Sequence, residues 1–177
     1  RLKETIINSD CKKYIDWEIC NFGKALDYWV DKLSQKKDYT SALELGAGEG
    51  DISILLSDLN YSNIFCTDLN PIRKNKIINS GYNKIKFKKT DVLNINFPDS
   101  SFDVVACKSM LGGIAKRDIG KMNIAINEIY RVLKKGGSFI FAENIEGSIM
   151  HKIIRAYFKS SSWYYPNLID FINTLND

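Results

Sequence analysis

A run of strand-like sequence that passes through three alternate glycines into helix-like sequence, ALELGAGEGDIS over residues 42–53, constrains the fold of this chain more tightly than any other feature. Glycines directly after a strand permit a tight turn and let backbone amides approach a ligand without interference from Cβ, while the helix that follows presents unpaired N–H groups. The glycines stand at Gly46, Gly48 and Gly50, and Asp51 occupies the place where the dinucleotide fingerprint GxGxxG needs its third glycine, so a pyrophosphate is disfavoured. Glu44, two residues before the turn, would repel a phosphate and suits a positively charged ligand carrying an amino group. A purely structural strand-to-helix turn is the alternative reading.

The surrounding pattern repeats the strand-to-helix step. Ahead of the turn Ile15, Ile19, Phe22, Leu26, Trp29, Val30 and Leu33 recur at intervals of three and four, which predicts an amphipathic helix over 14–33. Beyond it, strands are predicted over 42–45, 63–67, 84–88, 102–107 and 138–142, and helices over 50–59, 71–80 and 119–133, the last ended by KKGG. Five short strands, mostly separated by helices, imply an open and largely parallel α/β sheet covered on both faces. The 177 residues suit one domain. With a single histidine and four cysteines lacking CxxC spacing, no metal-ligand set or disulfide framework is recognisable. Net charge is +4, and its densest basic pieces, KIKFKKTD and RVLKKGG, border element ends, so solvated faces explain them better than a nucleic-acid groove. No apolar run approaches the roughly 18 residues that span a bilayer, and no signal-peptide pattern follows Arg1, so the cytoplasm is the default expectation; the oligomeric state stays open.

Open α/β sheets bind ligands outside the C-terminal ends of their strands, where strand order reverses, so the residues ending each strand are the candidates. Asp68 follows Gly46 at close to the roughly 20-residue offset at which an acidic side chain accepts both ribose hydroxyls of a nucleoside; capping of the helix that begins near Pro71 is its alternative role. Asp91, after the third strand, can accept from an exocyclic amine, or is an ordinary loop aspartate. Lys108 and Ser109 end the fourth strand, with a surface lysine and a turn serine as the plainer readings, and Glu143 and Asn144 end the fifth. His151 and Arg155 lie four apart on one face of the next predicted helix. An imidazole there is a candidate general base, with Arg155 binding an anionic portion of a substrate.

Taken in order, LELGAGEG, CTDLNP, KKTDVLNINFPDSSFDVVACKSML and EIYRVLKKGGSFIFAEN resemble the class I S-adenosylmethionine-dependent methyltransferases over about residues 40–145. The resemblance implies a Rossmann-like sheet of order 3-2-1-4-5 and S-adenosylmethionine as cofactor. It implies that Glu44 and the loop of Gly46, Ala47, Gly48 and Gly50 lie beside the methionine part, that Asp68 and Leu69 hold the ribose, and that Asp91 and Val92 contact the adenine, with Lys108 also near the cofactor. A sulfonium cofactor without phosphates agrees with the separate argument from Glu44. The chain then divides into a helical cap over 1–39, the cofactor core over 40–145 and a helical acceptor-side segment over 146–177.

For the acceptor, CKSMLGGI stands where amino-directed nucleic-acid methyltransferases commonly carry an Asn/Asp-Pro-Pro-aromatic motif, which argues against nucleic-acid substrates. KSMLGGI with FAENIEGSIMHKIIRAYF and DWEICNFGKALDYW is similar to small bacterial methyltransferases encoded with polysaccharide or natural-product genes. That similarity implies methylation of a hydroxyl on a sugar or related metabolite. His151 or Lys108 would be the base, Ser109, Glu143, Asn144 and Arg155 the acceptor contacts, and Trp17 and Asn21 a cover for the cofactor, unless Trp17 is core. The family ordinarily finishes with an antiparallel strand pair, whereas residues 146–177 read as two helical pieces split by SSSWYYP, so the chain is expected to be either cut or minimal. Two other readings remain: a non-catalytic S-adenosylmethionine-binding module, and an NAD(P)-dependent oxidoreductase, against which Asp51 and Glu44 count.

Overall fold

A computed structural model describes residues 19–70, 75–79, 81–115, 118–144 and 164–176. Within them the chain runs α1 (Ile19–Ser34), β1 (Ser41–Leu45), α2 (Asp51–Asp58), β2 (Asn63–Asp68), α3 (Asn75–Asn79), β3 (Ile85–Lys89), β4 (Phe102–Lys108), α4 (Leu111–Ala115), α5 (Ile119–Val132), β5 (Leu133–Ala142) and α6 (Leu168–Asn176). The five strands form one sheet of order β3-β2-β1-β4-β5, parallel throughout, as the motifs implied. Strand order reverses on the two sides of β1, which pairs Ala42 with Ile64 on one side and with Val104 on the other. A crevice opens at that reversal, and the ends of β1, β2, β3 and β4 all face it.

Side-chain alternation divides the core in two. Ala42, Ile64, Cys66, Val104 and Ala106 face α1, α2 and α3, where Leu26, Trp29, Val30 and Leu33 of α1 pack with Ile52 and Leu55 of α2. Leu43, Leu45, Val105 and Cys107 face the opposite layer, packing with Met122, Ile126 and Ile129 of α5 and Phe171 of α6. All of β1 and the first six residues of β4 are buried, as strands covered on both faces must be. β3, at the edge, carries lysines at alternate positions. These blunt the edge against further pairing and lay their stems on neighbouring rings, with Lys88 Nζ 4.0 Å from the Phe97 ring centre.

At the N-terminal end of the sheet a single carboxylate ties three strands. Asp103 of β4 accepts from the Thr40 amide (3.0 Å), the Ser41 amide (2.9 Å) and the Ser41 hydroxyl (2.7 Å) at the start of β1, and from Lys134 Nζ (2.9 Å) of β5. Burial opposes its charge, but these donors prevail and hold the carboxyl well below the usual range.

The elements differ from the sequence expectation in two informative places. KKGG does not close α5; the helix stops at Val132, β5 begins at once with Leu133 paired to Phe102, and the ladder slips before Ser138 pairs with Val104. Gly136, at φ 79°, accommodates that irregularity. α4 was not anticipated, because LGGIA carries two glycines and shows no helical periodicity. Trp29 is core, 5% exposed, whereas Trp17 lies outside the described residues.

Gly50 combines a left-handed φ of 82° with tight quarters: a Cβ there would lie 2.4 Å from Ile77 Cδ1 and 3.1 Å from Cys66 Sγ. Gly50→Ala should therefore destabilise the protein by about 2–4 kcal/mol. In urea unfolding the Gly50→Ala, Ile77→Val double variant should lose less than the sum of the single changes, because Ile77→Val removes the clashing methyl; simple additivity would show that the steric contact is unimportant.

Candidate active site

All three loop glycines are left-handed, with φ of 64° at Gly46, 57° at Gly48 and 82° at Gly50, which explains their alternate spacing. The turn is tied to β2 by three bonds: Ala47 N donates to Thr67 O (3.0 Å), Gly48 N to Asp68 Oδ2 (3.0 Å), and Thr67 Oγ1 to Glu44 O (2.7 Å). Met110 lies against Gly46, its Cγ 3.0 Å from where a Cβ would stand, so a larger residue at position 46 would collide with Met110.

Glu44 shares the parity of Ala42 and so faces the layer in which α2 begins. Its carboxylate accepts from the amides of Ile52 (3.2 Å) and Ser53 (2.8 Å) and from the Ser53 hydroxyl. Gly50 at the N-cap position has no side chain to satisfy those amides, and Glu44 does so from inside the sheet. Burial dominates its titration and pushes the carboxyl up to about 7, despite the lowering effect of the Ser53 bonds.

Beyond the turn a cavity of about 430 Å³ opens between the ends of β1, β2, β3 and β4. Leu45, Gly46 and Met110 form one side. Asp68 and Asp91 stand at the ends of β2 and β3, with Leu69, Val92 and Ile114 supplying apolar surface between and across from them. Asp68 already accepts from Gly48 N and from Asn70 N (2.9 Å), one bond on each oxygen, which leaves lone pairs on both. Asp91 Oδ1 accepts from Leu93 N (2.9 Å) in an Asx turn. Thr90 also lines the cavity; it is 5% exposed, and its hydroxyl has no hydrogen-bond partner among the described residues. Two acceptor-rich carboxylates and an apolar slot suit a neutral nucleoside with vicinal hydroxyls better than a phosphate ester.

The acceptor-side candidates gather at the neighbouring strand ends. Lys108 Nζ lies 3.7 Å from Asp51 Oδ2, both nearly buried, so the residue that replaces the third glycine of the dinucleotide fingerprint pairs with the end of β4. Ser109 follows at φ 48°, its amide on Ala142 O (2.8 Å) and its buried hydroxyl without a partner among the described residues. Glu143 Oε2 accepts from the amides of Met110 (2.9 Å) and Leu111 (2.8 Å), and Oε1 from Asn144 N (3.2 Å); burial raises its pKa. Glu143 therefore anchors the start of α4. Trp17, His151 and Arg155 lie outside the described residues, as does the side chain of Asn21 on α1.

Sequence reasoning passed over Thr90, Met110, Ile114 and Lys121, which also line the cavity. Thr90 was signalled only by its place before Asp91. Met110 and Ile114 lie within CKSMLGGI but were given no role there, and Lys121 arrives with the first turn of α5, where no motif marks it.

Residues 43–141 match the methyltransferase domain family. The chain is 32% identical over 145 residues to demethylmenaquinone methyltransferase of Leptospira interrogans, covering 75% of this chain and 56% of that protein. It is 26% identical over 159 residues to the human eEF1A lysine and N-terminal methyltransferase, covering 86% of this chain and 22% of that protein. The chain thus spans about half of one relative and about a fifth of the other. The crystal structure of YcgJ from Bacillus subtilis superposes with a TM-score of 0.70 at 18% identity, over 86% of this chain and 66% of that one, which establishes likeness of fold.

The Glu44 carboxyl sits at about 7 in the fold against an ordinary 4.5. Its contribution to stability is fully present below the lower value and is lost as pH rises through the higher one. Relative to Glu44→Gln, the wild type should lose on the order of 2 kcal/mol between about pH 4.5 and pH 7. Urea midpoints measured across that range check this; parallel curves for the two proteins would show that Glu44 is ionised throughout.

Proposed function

The chain belongs to the methyltransferase domain family, and on that premise we propose that it transfers a methyl group from S-adenosylmethionine, the methyl donor of this family, to a small-molecule hydroxyl. The observation that carries the reading is the cavity at the strand-order reversal, flanked by the Asp68 and Asp91 carboxylates and roofed by the left-handed glycine turn.

The residues fit that group. Asp68 has lone pairs to accept two ribose hydroxyls, Asp91 would accept from the exocyclic amine of adenine, and Val92, Leu69 and Ile114 would supply apolar surface for the base. The glycine turn, with Gly46, Ala47 and Gly48, leaves room for the amino-acid portion. Glu44 acts on that portion through the turn, since its carboxyl is buried against the start of α2. When bound, the cofactor supplies an electrophilic methyl on a sulfonium centre, and in-line transfer then depends on how the chain aligns the acceptor.

On the acceptor side Ser109 is the proposed contact beside the ion-paired Lys108. His151 is the proposed base and Arg155 the proposed acceptor contact, with Asn144 at the end of β5; Trp17 and Asn21 are proposed to cover the cofactor. A sugar or related metabolite is the acceptor class we favour. It rests on CKSMLGGI in place of a nucleic-acid motif and on the likeness of the flanking segments to small bacterial enzymes. The relatives named above act, by their names, on a quinone and on a protein.

One observation favours a second reading, a cofactor-binding module without catalysis. At the strand ends Lys108 is paired with Asp51 and Glu143 is committed to α4, so neither is an uncommitted base. Calorimetry with S-adenosylhomocysteine, combined with transfer of labelled methyl to a panel of hydroxylated metabolites, separates the two: binding without transfer to any of them would favour the module, and absence of binding would sink both. Asp68→Ala should weaken binding by about 1.5–3 kcal/mol, with Asp68→Asn, which can still accept from Gly48 N, losing less. His151→Ala should slow transfer about 100-fold or more; full activity would remove it from the mechanism.

A further inference from the structure

Between β3 and β4 the chain runs from Asp91 to Ser101 without regular structure apart from an isolated bridge between Asp91 and Asn94. The first three of these residues, Asp91, Val92 and Leu93, form one wall of the cavity. A wall made of irregular backbone needs an anchor if it is to present its groups in one geometry. The anchor lies outside the cavity, near the C-terminal end of α5.

Glu128 Oε2 accepts from the amide of Ile95 (2.7 Å), and Arg131 Nη2 donates to the carbonyl of the same residue (2.7 Å). Both polar backbone groups of Ile95, two residues past the cavity wall, are thus held by one side-chain pair. Glu128 and Arg131 are themselves joined in a forked contact, Nε to Oε1 and Nη2 to Oε2, each 2.8 Å. Arg131 Nη1 reaches on to the Phe97 carbonyl (3.0 Å) and to Asp99 Oδ1 (2.7 Å). Its planar fork lets one side chain hold two carbonyls, of Ile95 and Phe97, and two carboxylates, which a lysine cannot do. The Glu128 carboxyl is drawn below its usual range chiefly by the Arg131 hydrogen bond, so both partners are charged at neutral pH.

We propose that Glu128 and Arg131 are positioning residues for adenine recognition: by fixing the backbone at Ile95 they set where Asp91 and Val92 meet the base, and so set the preference of the site for adenine over other purines. The inference rests on the cofactor reading given above. Other ties share the segment: Ile95 O also accepts from Phe97 N (2.8 Å), the Ile95 side chain is buried in the core, Phe97 packs edge-on against Phe65 (4.8 Å) and Phe102 (5.0 Å), and Lys88 Nζ holds the Asn96 carbonyl (2.6 Å). These bring the segment to the sheet, whereas the polar pair orients the peptide groups next to the wall. The Asx turn at Asp91 ends at Leu93 and Asn94 N bonds back to Asp91 O (3.1 Å), so Ile95 is the first residue beyond the turn.

The test compares binding of S-adenosylhomocysteine with that of S-inosylhomocysteine, which carries a carbonyl where adenine has its amine, in the wild type, Arg131→Lys and Glu128→Gln. The wild type should prefer the adenosyl ligand by about tenfold or more, as expected of a site with a charged acceptor for the amine. Each variant should reduce that preference by about fivefold while remaining folded by its melting temperature. Equal weakening of both ligands, or no change in either, would overturn the proposal by reducing the pair to a structural clamp. Binding of neither ligand by the wild type would instead overturn the cofactor reading. Amide hydrogen exchange supplies a second measurement: in Arg131→Lys, faster exchange should be confined to Leu93, Asn94 and Ile95, and unchanged exchange there would count against the mechanism.

Discussion

The bond between Glu44 and the first amides of α2 is the interaction on which the site depends. A parallel strand that turns directly into a helix must end in a sharp reversal, and here three left-handed glycines make that reversal and provide no capping side chain. The amides of Ile52 and Ser53 are therefore satisfied from inside, by a carboxylate buried in the central strand at considerable desolvation cost. Because Glu44 is on β1 and its partners on α2, the bond fixes the helix start against the sheet. The ties from Ala47 and Gly48 to β2 then place the turn above the crevice.

Around this point the sheet is a frame with supports at both ends. Asp103 collects the starts of β1, β4 and β5, and the strand ends opposite are left to carry Asp68, Asp91, Lys108 and Ser109. Parallel pairing keeps those ends in register: Leu45 stands beside Thr67 and Cys107, and Asp68 beside Lys89. Rigid strands therefore deliver the carboxylates, while the irregular segments that complete the cavity are held by pairs such as Glu143 with the start of α4 and Arg131 with the β3–β4 connection. These supporting groups are hydrogen-bonded to the segments they hold and do not line the cavity.

The two halves of the site differ in how firmly the chain specifies them. The cofactor half is built from strand ends and a turn within the segment matched to the methyltransferase domain family. The acceptor half, as proposed, draws on Ser109, Glu143 and Asn144 and on segments outside that match, and the relatives carry names that point to quinones and to proteins. Family membership thus carries the donor across this chain, and the acceptor is argued from local chemistry alone.

The alternation of apolar strands and amphipathic helices, and the glycine spacing, were legible in the residues because both depend on local sterics: a period of two or of three to four, and a φ that only glycine adopts easily. Asp68 and Asp91 were legible for the same reason, since a residue that ends a strand in such a sheet faces the crevice. Glu44 was read as facing a ligand, and only folding could show that its parity turns it toward α2, because which layer a helix joins depends on the whole chain crossing the sheet. Thr90, Met110 and the Glu128–Arg131 pair were invisible for a related reason. Each acquires its role from a neighbour distant in sequence, Met110 against Gly46 and Arg131 against Ile95, and no local periodicity encodes a contact between segments that only the closed sheet brings together.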